Sequence, residues 1–393
     1  MKYVIVILDG AAGWPLPELG GRTTLQAATT PNLDRMVREG TLGLAQTVPE
    51  GMEPSSSAAC TSILGYDPVV DFIGRGAIEA ASMGIELASD EVALRLNLVT
   101  VDGGVMSSYS AGHITTQESR AVISDLATAL DDDVFKLYPG IAYRHILVIK
   151  GHPEVTECGF TPPHDISDRH MVDHLPRGIG AEILLQYMGD ARPVLESSVV
   201  NRRRETEGRM LVTDVWPFWP GVAPKGLMSF SEARGLRAAM TSGVDLLNGL
   251  AVLAGIERLD IMGVTDGPDN DYASQAAGTL HALTKHDLVI AHVESPDEAG
   301  HAGDIGAKIE AIEAIDREVL GRVLAYDGTL RVLATPDHPT PVALKTHVGE
   351  AVPFVLCGPG VSSNGAESFD EATAGGTGLF VDPGHGVMDM LLS

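Results

Sequence analysis

Tyr3-Val4-Ile5-Val6-Ile7-Leu8, closed by Asp9-Gly10, decides the fold. The run is apolar without alternation and rich in β-branched residues. That predicts a strand buried on both faces, as strands of parallel sheets are. A carboxylate at its carboxyl end stands where open α/β sheets place their ligand sites. Just downstream, Thr30-Pro31 predicts an N-cap and a proline in the first helical turn. Leu33 and Met36 fall inside that helix, and Gly40 marks its end as a C′ glycine.

The second half of the chain repeats this grammar. Strands are expected at Leu259 to Val264, after a helix around Val244 to Leu253, and at Asp287 to Val293, closed by Glu294. Two more are expected at Leu330 to Ala334, ending before Asp337, and at Val352 to Leu356, ending at Gly358-Pro359-Gly360. Lys308 to Leu324 reads as an amphipathic helix with Ile309, Ile312, Ile315, Val319 and Val323 on one stripe. A short apolar helix is expected around Val387 to Leu392. Strands alternating with helices predict an α/β sheet covered on both faces. The stretch from about residue 90 to 205 is less regular, with the turn Asp131-Asp132-Asp133 and the segment Thr161-Pro162-Pro163-His164-Asp165. It reads as an insertion, giving a core of 1–90 and 206–393 and an inserted domain of 91–205.

The 393 residues carry a formal net charge of −26. Such acidity argues against nucleic acid and anionic membrane as partners, since both are polyanions. An anionic substrate would then need local positive charge, which bound cations supply. Cys60, Cys158 and Cys357 form no CxxC pair, so neither a disulfide framework nor a thiolate zinc site is indicated. The first apolar run is too short for a signal-peptide core, and no uncharged run approaches membrane-spanning length. The expectation is a cytoplasmic protein.

Several potential ligands fall just beyond predicted strands: Asp9, then Asp297 and His301, then Asp337 and His338, with His347 a little later. Alone, each is as readily a turn or cap residue. Together they place oxygen and imidazole donors where strands of one sheet end. Asp297-x-x-x-His301 puts a carboxylate and an imidazole on one side of a helical turn. Mixed oxygen and nitrogen donors suit Mn²⁺ or Zn²⁺ first, and Mg²⁺ also. A candidate nucleophile lies in Glu53-Pro54-Ser55-Ser56-Ser57-Ala58-Ala59, since a metal-bound serine can ionise near neutral pH. The same serines would cap a helix, whose N-terminus favours phosphate.

Five segments carry a resemblance to a known family: Leu8-Asp9-Gly10; Ala28 to Asp34 (ATTPNLD); Ser62 to Pro68 (SILGYDP); His292 to His301 (HVESPDEAGH); and Pro336 to Pro341 (PDHPTP). Over most of its length the chain resembles the archaeal-type, cofactor-independent phosphoglycerate mutases of the alkaline phosphatase superfamily. The resemblance implies an alkaline-phosphatase-like α/β core with a smaller inserted α/β domain that holds the glycerate. It implies a phosphoserine intermediate at Ser56 and two divalent cations, without 2,3-bisphosphoglycerate. One ion would be held by Asp297, His301 and His347, the other by Asp9, Asp337, His338 and Ser56. The substrate would be a small phosphorylated molecule, 2- or 3-phosphoglycerate.

The chain departs from the family pattern around the substrate. Ser57 stands where an acid follows the nucleophile. Ser108 to Ile114 (SYSAGHI) lacks both arginines of the family's DRSAGRI-like segment. Arg237 and Gln275 replace expected lysines, and Pro162-Pro163-His164 replaces Asp-Pro-His. Candidate substrate residues are therefore Arg75, His113, His164, Arg204 and Arg237. Alternative readings are a related phosphotransferase or phosphohydrolase, homoserine-kinase-like, or a non-catalytic metal-binding relative.

Overall fold

The computed structural model describes residues 1–71, 73–224 and 226–393. Within it the chain forms two compact units, Met1–Phe72 with Lys225–Ser393, and Ile73–Pro224.

The first unit is built on an eight-stranded sheet. Its order is Phe380–Val381, Thr41–Ala45, Val352–Cys357, Leu330–Thr335, Lys2–Leu8, Leu288–Val293, Ala238–Thr241, Glu257–Arg258. Lys2–Leu8 lies in its middle, parallel to Leu330–Thr335 on one side and to Leu288–Val293 on the other. That is why its residues from Val4 to Leu8 are fully buried and why the run needs no polar alternation. Val352–Cys357 and Thr41–Ala45 run antiparallel at the far side. Side chains of one parity, Val4, Val6 and Leu8, share a core with Val289, Ala291 and Val293. Helical residues Leu33, Met36, Ile312, Ile315, Val319 and Val323 cover that face. The helix beginning at Ile305 passes through a π-helical stretch, Ile315–Leu320, before ending at Val323.

Two expectations are revised here. Leu259 to Val264 is not a strand; the edge strand is only Glu257–Arg258. Gly40 closes the helix Pro31–Glu39 in extended backbone, φ −138°, not in the left-handed region. Glycine is needed there because a Cβ would run into the carbonyl oxygen of Leu356.

The second unit carries an antiparallel five-stranded sheet around Glu91–Asp102, which pairs with Arg144–Lys150, Val105–Ser108 and Asp214–Val222. Its strands alternate as half-wrapped sheets do: Val92, Leu94, Leu96 and Leu98 face a core with residues of helices Thr116–Leu130 and Ala181–Ser197. Ala93 packs with Ala80 of helix Arg75–Ser82 on the opposite face. The insert thus extends beyond the expected 91–205 to 73–224. Asp214–Val222 pairs with Glu91–Asp102 along nearly its whole length, and Arg75–Ser82 packs on the same sheet, so neither can belong to the core.

Candidate metal centre and active site

The chain ends of parallel strands bring the ligand candidates together. Asp9 follows Lys2–Leu8, Asp337 and His338 follow Leu330–Thr335, and helix Ser295–Ala302 follows Leu288–Val293, with Asp297 and His301 one turn apart. His347 arrives from the loop beyond Pro341. Asp337 is held in place by three contacts. Its Oδ1 accepts from the backbone N–H groups of Gly10 (3.0 Å) and His338 (2.8 Å), and its carbonyl accepts from Thr47 Oγ1. Gly10 sits at φ +59°, where a Cβ would overlap Asp297 Oδ1 and Thr340 Oγ1.

The three imidazoles share one arrangement. His301 Nδ1 lies 3.0 Å from the carbonyl of Lys345, and His347 Nδ1 lies 3.4 Å from that of Pro54. A carbonyl only accepts, so each Nδ1 bears a proton, and in the neutral ring Nε2 keeps its lone pair. Thr340 Oγ1 donates to Asp297 Oδ1, which leaves it as acceptor for His338 Nδ1 at 3.3 Å. The Nε2 lone pairs therefore all point inward. His301 Nε2 is 2.8 Å from His347 Nε2 and 3.0 Å from Asp297 Oδ2, and His347 Nε2 is 3.6 Å from Asp297 Oδ1. Lone pairs facing each other at that distance require a proton or a metal ion between them. His338 Nε2 is 3.2 Å from Asp337 Oδ2 and 3.7 Å from Asp9 Oδ1. Asp9 Oδ1 is buried and has no hydrogen-bond partner among the described residues. The donor chemistry thus fits two divalent cations, one near Asp297, His301 and His347, the other near Asp9, Asp337 and His338.

In the protein alone, a proton takes the place that an ion would fill between Asp297 and His301. Burial pushes the Asp9 carboxyl well up, and the charges of Asp337 and Asp297 add to this. Burial acts the same way on Asp297, but hydrogen bonds from His301 and His347 overcome it and hold the carboxyl well below its usual range. His301, hydrogen-bonded to Asp297, is raised to about 9. Burial lowers His338.

Ser56 is the first residue of the helix Ser56–Ile63, capped by Ser55, whose side chain accepts from Ala58 N–H. Its hydroxyl lies 3.2 Å from His338 Nε2. Because that nitrogen carries a lone pair, the serine O–H donates to it. The helix N-terminus behind the serine favours an anion in front of it.

The basic candidates separate. Within the insert, Arg75 and Arg95 both pair with Glu79 Oε1, at 2.8 and 3.1 Å, and both guanidinium groups lie over the ring of Trp219. His164 packs edge-on to Trp219, Phe218 and Tyr109. Arg95 is almost fully buried, and its Nε has no partner among the described residues. It was not visible in the sequence, since Arg95 in Glu91–Asp102 looks like an ordinary polar position of an alternating strand. His113 is exposed on the same unit at φ +53°.

Two candidates are corrected. Arg204 is 0% exposed, paired with Glu118 at 3.0 Å and donating to the carbonyls of Met210 and Ala111. All three branches of its guanidinium are spent on the insert's own framework. Arg237 is 69% exposed, pairs with Asp287 at 3.7 Å, and precedes Ala238–Thr241. It therefore lies at the amino edge of the sheet, opposite the ligands. Lys308, in the sequence only one position of a helix, is fully buried and donates to the carbonyls of Ala12 (3.0 Å) and Thr340 (2.7 Å). Burial lowers it to about 8. It ties the loop after Asp9 to the loop after His338.

Comparison with known proteins bears on this arrangement. The family profile described as 2,3-bisphosphoglycerate-independent phosphoglycerate mutase matches residues 37–201. A probable mutase of that name from Geobacter sulfurreducens is 44% identical, with all of both chains covered. A 2,3-bisphosphoglycerate-independent phosphoglycerate mutase from Methanothrix thermoacetophila is also 44% identical over the whole of both chains. The chain belongs to this family, in its archaeal type. The phosphoglycerate mutase family accounts for the fold as well. A Pyrococcus horikoshii protein superposes with a TM-score of 0.85 at 27% identity, covering 100% of this chain and 96% of that one. The cofactor-independent phosphoglycerate mutase of Thermoplasma acidophilum superposes with a TM-score of 0.71 at 26% identity, covering 100% and 99%. The chain is thus a mutase-type enzyme, an isomerase that works without 2,3-bisphosphoglycerate.

Proposed function

We propose that this chain interconverts 2- and 3-phosphoglycerate in the cytoplasm through a phosphoserine on Ser56, with two divalent cations, Mn²⁺ or Zn²⁺. Asp297, His301 and His347 would hold one ion, and Asp9, Asp337, His338 and Ser56 the other. The observation that carries this reading is the inward convergence of the three Nε2 atoms, one of them on the Ser56 hydroxyl. When bound, the ions supply positive charge that eases ionisation of the serine and offsets charge on the phosphoryl oxygens.

The residues then divide the work. Ser56 Oγ attacks phosphorus, the bond from phosphorus to the glycerate oxygen breaks, and that oxygen takes up the proton the serine gives. The glycerate next presents its other hydroxyl. That oxygen attacks the phosphoserine, the bond from Ser56 Oγ to phosphorus breaks, and Ser56 regains a proton. Nothing is consumed, so water must be kept from the phosphoserine. In the insert, Arg75 and Arg95 with His164 supply the charge and aromatic surface for a glycerate carboxylate, a role guanidinium groups suit by their forked geometry. His113 is a further polar group of that unit for the same substrate.

The test is a coupled assay of 3- to 2-phosphoglycerate conversion with Mn²⁺, comparing wild type with Ser56→Ala. Loss of about 10³-fold or more in kcat is expected, since a covalent nucleophile has no substitute. A folded, metal-loaded wild type that converts nothing would sink the reading. Phosphate release or nucleotide-dependent phosphorylation of homoserine would then identify a different transferase chemistry.

A further inference from the structure

Trp219 of the insert is held in a conformation that its own sequence opposes. It stands in Phe218-Trp219-Pro220, within strand Asp214–Val222, and a residue before proline ordinarily takes extended backbone. Its φ is instead +49°, in the left-handed region that bulky L-residues avoid. The ladder shows how this arises. Arg95 faces Phe218 and Leu94 faces Pro220, so Trp219 is the extra residue of a β-bulge. By strand alternation Trp219 would point away from Phe218. The bulge re-aims it, and the two rings meet with centroids 4.6 Å apart. Strained residues persist where the surrounding structure over-determines them, and they gather at functional sites.

The surroundings here are explicit. The first turn of helix Arg75–Ser82 seats directly on the bulge. A Cβ on Gly76 would enter the carbonyl oxygens of Ala93 and Trp219, and one on Gly221 would enter the backbone of Gly74 and Ala77. That close approach lays Arg75 Cζ 4.1 Å from the centre of the Trp219 ring. Arg95 Cζ lies 5.6 Å from the centres of both Trp219 and Phe218. His164 closes the edge of the Trp219 ring, 5.6 Å between centroids. Glu79 Oε1 accepts from Arg75 Nε at 2.8 Å and from Arg95 Nη1 at 3.1 Å. One carboxylate thus serves two guanidinium groups, and positive charge is left over. Arg75 makes no other hydrogen bond among the described residues, and Arg95 Nε is buried without a partner.

Taking Arg75 and Arg95 as the partners of the glycerate carboxylate, we propose that Trp219 positions them and so determines that the insert selects a carboxylate-bearing ligand. The ring is the surface on which Arg75 lies flat, held by its cation–π attraction. With Nε fixed on Glu79, the Nη edge of Arg75 is left for a carboxylate, which a guanidinium grips through two parallel hydrogen bonds. Trp219 acts through the arginines and does not itself touch the substrate.

The test is calorimetric titration of the full, Mn²⁺-loaded chain with 3-phosphoglycerate and, separately, with inorganic phosphate, which has no carboxylate. Trp219→Ala should weaken 3-phosphoglycerate binding by roughly 10- to 100-fold, the range of a lost charged hydrogen bond, and leave phosphate binding as it was. Trp219→Phe restores a ring and should recover most of that loss. Trp219→Gly separates ring from backbone. Glycine is at ease at this φ, so the variant should melt roughly 2–4 °C above Trp219→Ala and still bind 3-phosphoglycerate as weakly. An unchanged 3-phosphoglycerate affinity in Trp219→Ala overturns the proposal. So does an equal loss for both ligands, or a Trp219→Phe no better than Trp219→Ala. A wild type that binds 3-phosphoglycerate no more tightly than phosphate overturns it as well. A wild type that shows the expected binding pattern but converts nothing sinks the mutase reading and leaves the role of Trp219 standing.

Discussion

Replacing Gly10 with alanine tests whether Asp297 is a metal ligand. Gly10 adopts φ +59°, and an L-residue there loses about 1–2 kcal/mol. The new methyl would also overlap Asp297 Oδ1, Asp297 Cβ and Thr340 Oγ1. Asp297 cannot retreat freely, because its two oxygens face His301 and His347 and accept from Thr340. Displacing it also disturbs Thr340, the group that fixes the His338 tautomer. Loss of such support typically costs roughly 10- to 100-fold in metal affinity. Gly20→Ala is the control: φ is +67°, but no atom lies within 4 Å of the added Cβ. Both variants should melt on the order of 2–8 °C lower. Only Gly10→Ala should shift the Mn²⁺ midpoint, read by activity and by equilibrium dialysis. An unchanged Mn²⁺ midpoint in Gly10→Ala would refute the placement of Asp297 in the ion site.

Four further outcomes follow from the side-chain geometry. Arg95→Met should lower kcat/KM by roughly 10- to 100-fold, the range of one lost charged hydrogen bond, while the Mn²⁺ midpoint stays put; steady-state kinetics would show whether it does. Arg204→Met leaves the carbonyls of Met210 and Ala111 without their donor while Glu118 keeps Arg209; it should destabilise the insert by roughly 1–3 kcal/mol per stranded carbonyl, measured by urea unfolding, with KM unchanged in the fraction that remains folded. Glu118 shows a pH effect of definite sign. Burial pulls its carboxyl up, but hydrogen bonds from Arg209 and Thr115 and the charge of Arg204 bring it down to about 2. Its contribution is therefore complete above the unfolded value near 4.5 and fades as pH falls toward 2; Glu118→Gln should be less stable than wild type at pH 7 and lose that difference between pH 4.5 and 2, followed by circular dichroism. Arg237→Ala, altering an exposed residue at the amino edge of the sheet, should leave kcat and KM as they are.

Much of the site was legible because its signals are local. A continuous apolar run ending in a carboxylate, as at Leu8-Asp9, states both a buried strand and what lies at its end. The spacing of Asp297 and His301 needs only one helical turn, and Pro31 fixes a helix start by its own ring. What sequence could not give was anything set by partners distant in the chain. Leu259 to Val264 has strand composition, yet the sheet edge there pairs only at Glu257–Arg258. Arg204 and Arg75 look alike as letters; the fold buries one against Glu118 and lays the other on Trp219. Arg95 and Lys308 read as surface positions until a helix and two carbonyl-bearing loops close over them. That Asp9 meets His292, at 2.6 Å, depends on register: a one-residue slip would turn every side chain to the other face. Sequence by itself determined which strands are buried, where they end and which donors stand there. Tertiary structure alone decided which donors face one another and which cations are free, because those follow from pairing and packing between segments hundreds of residues apart.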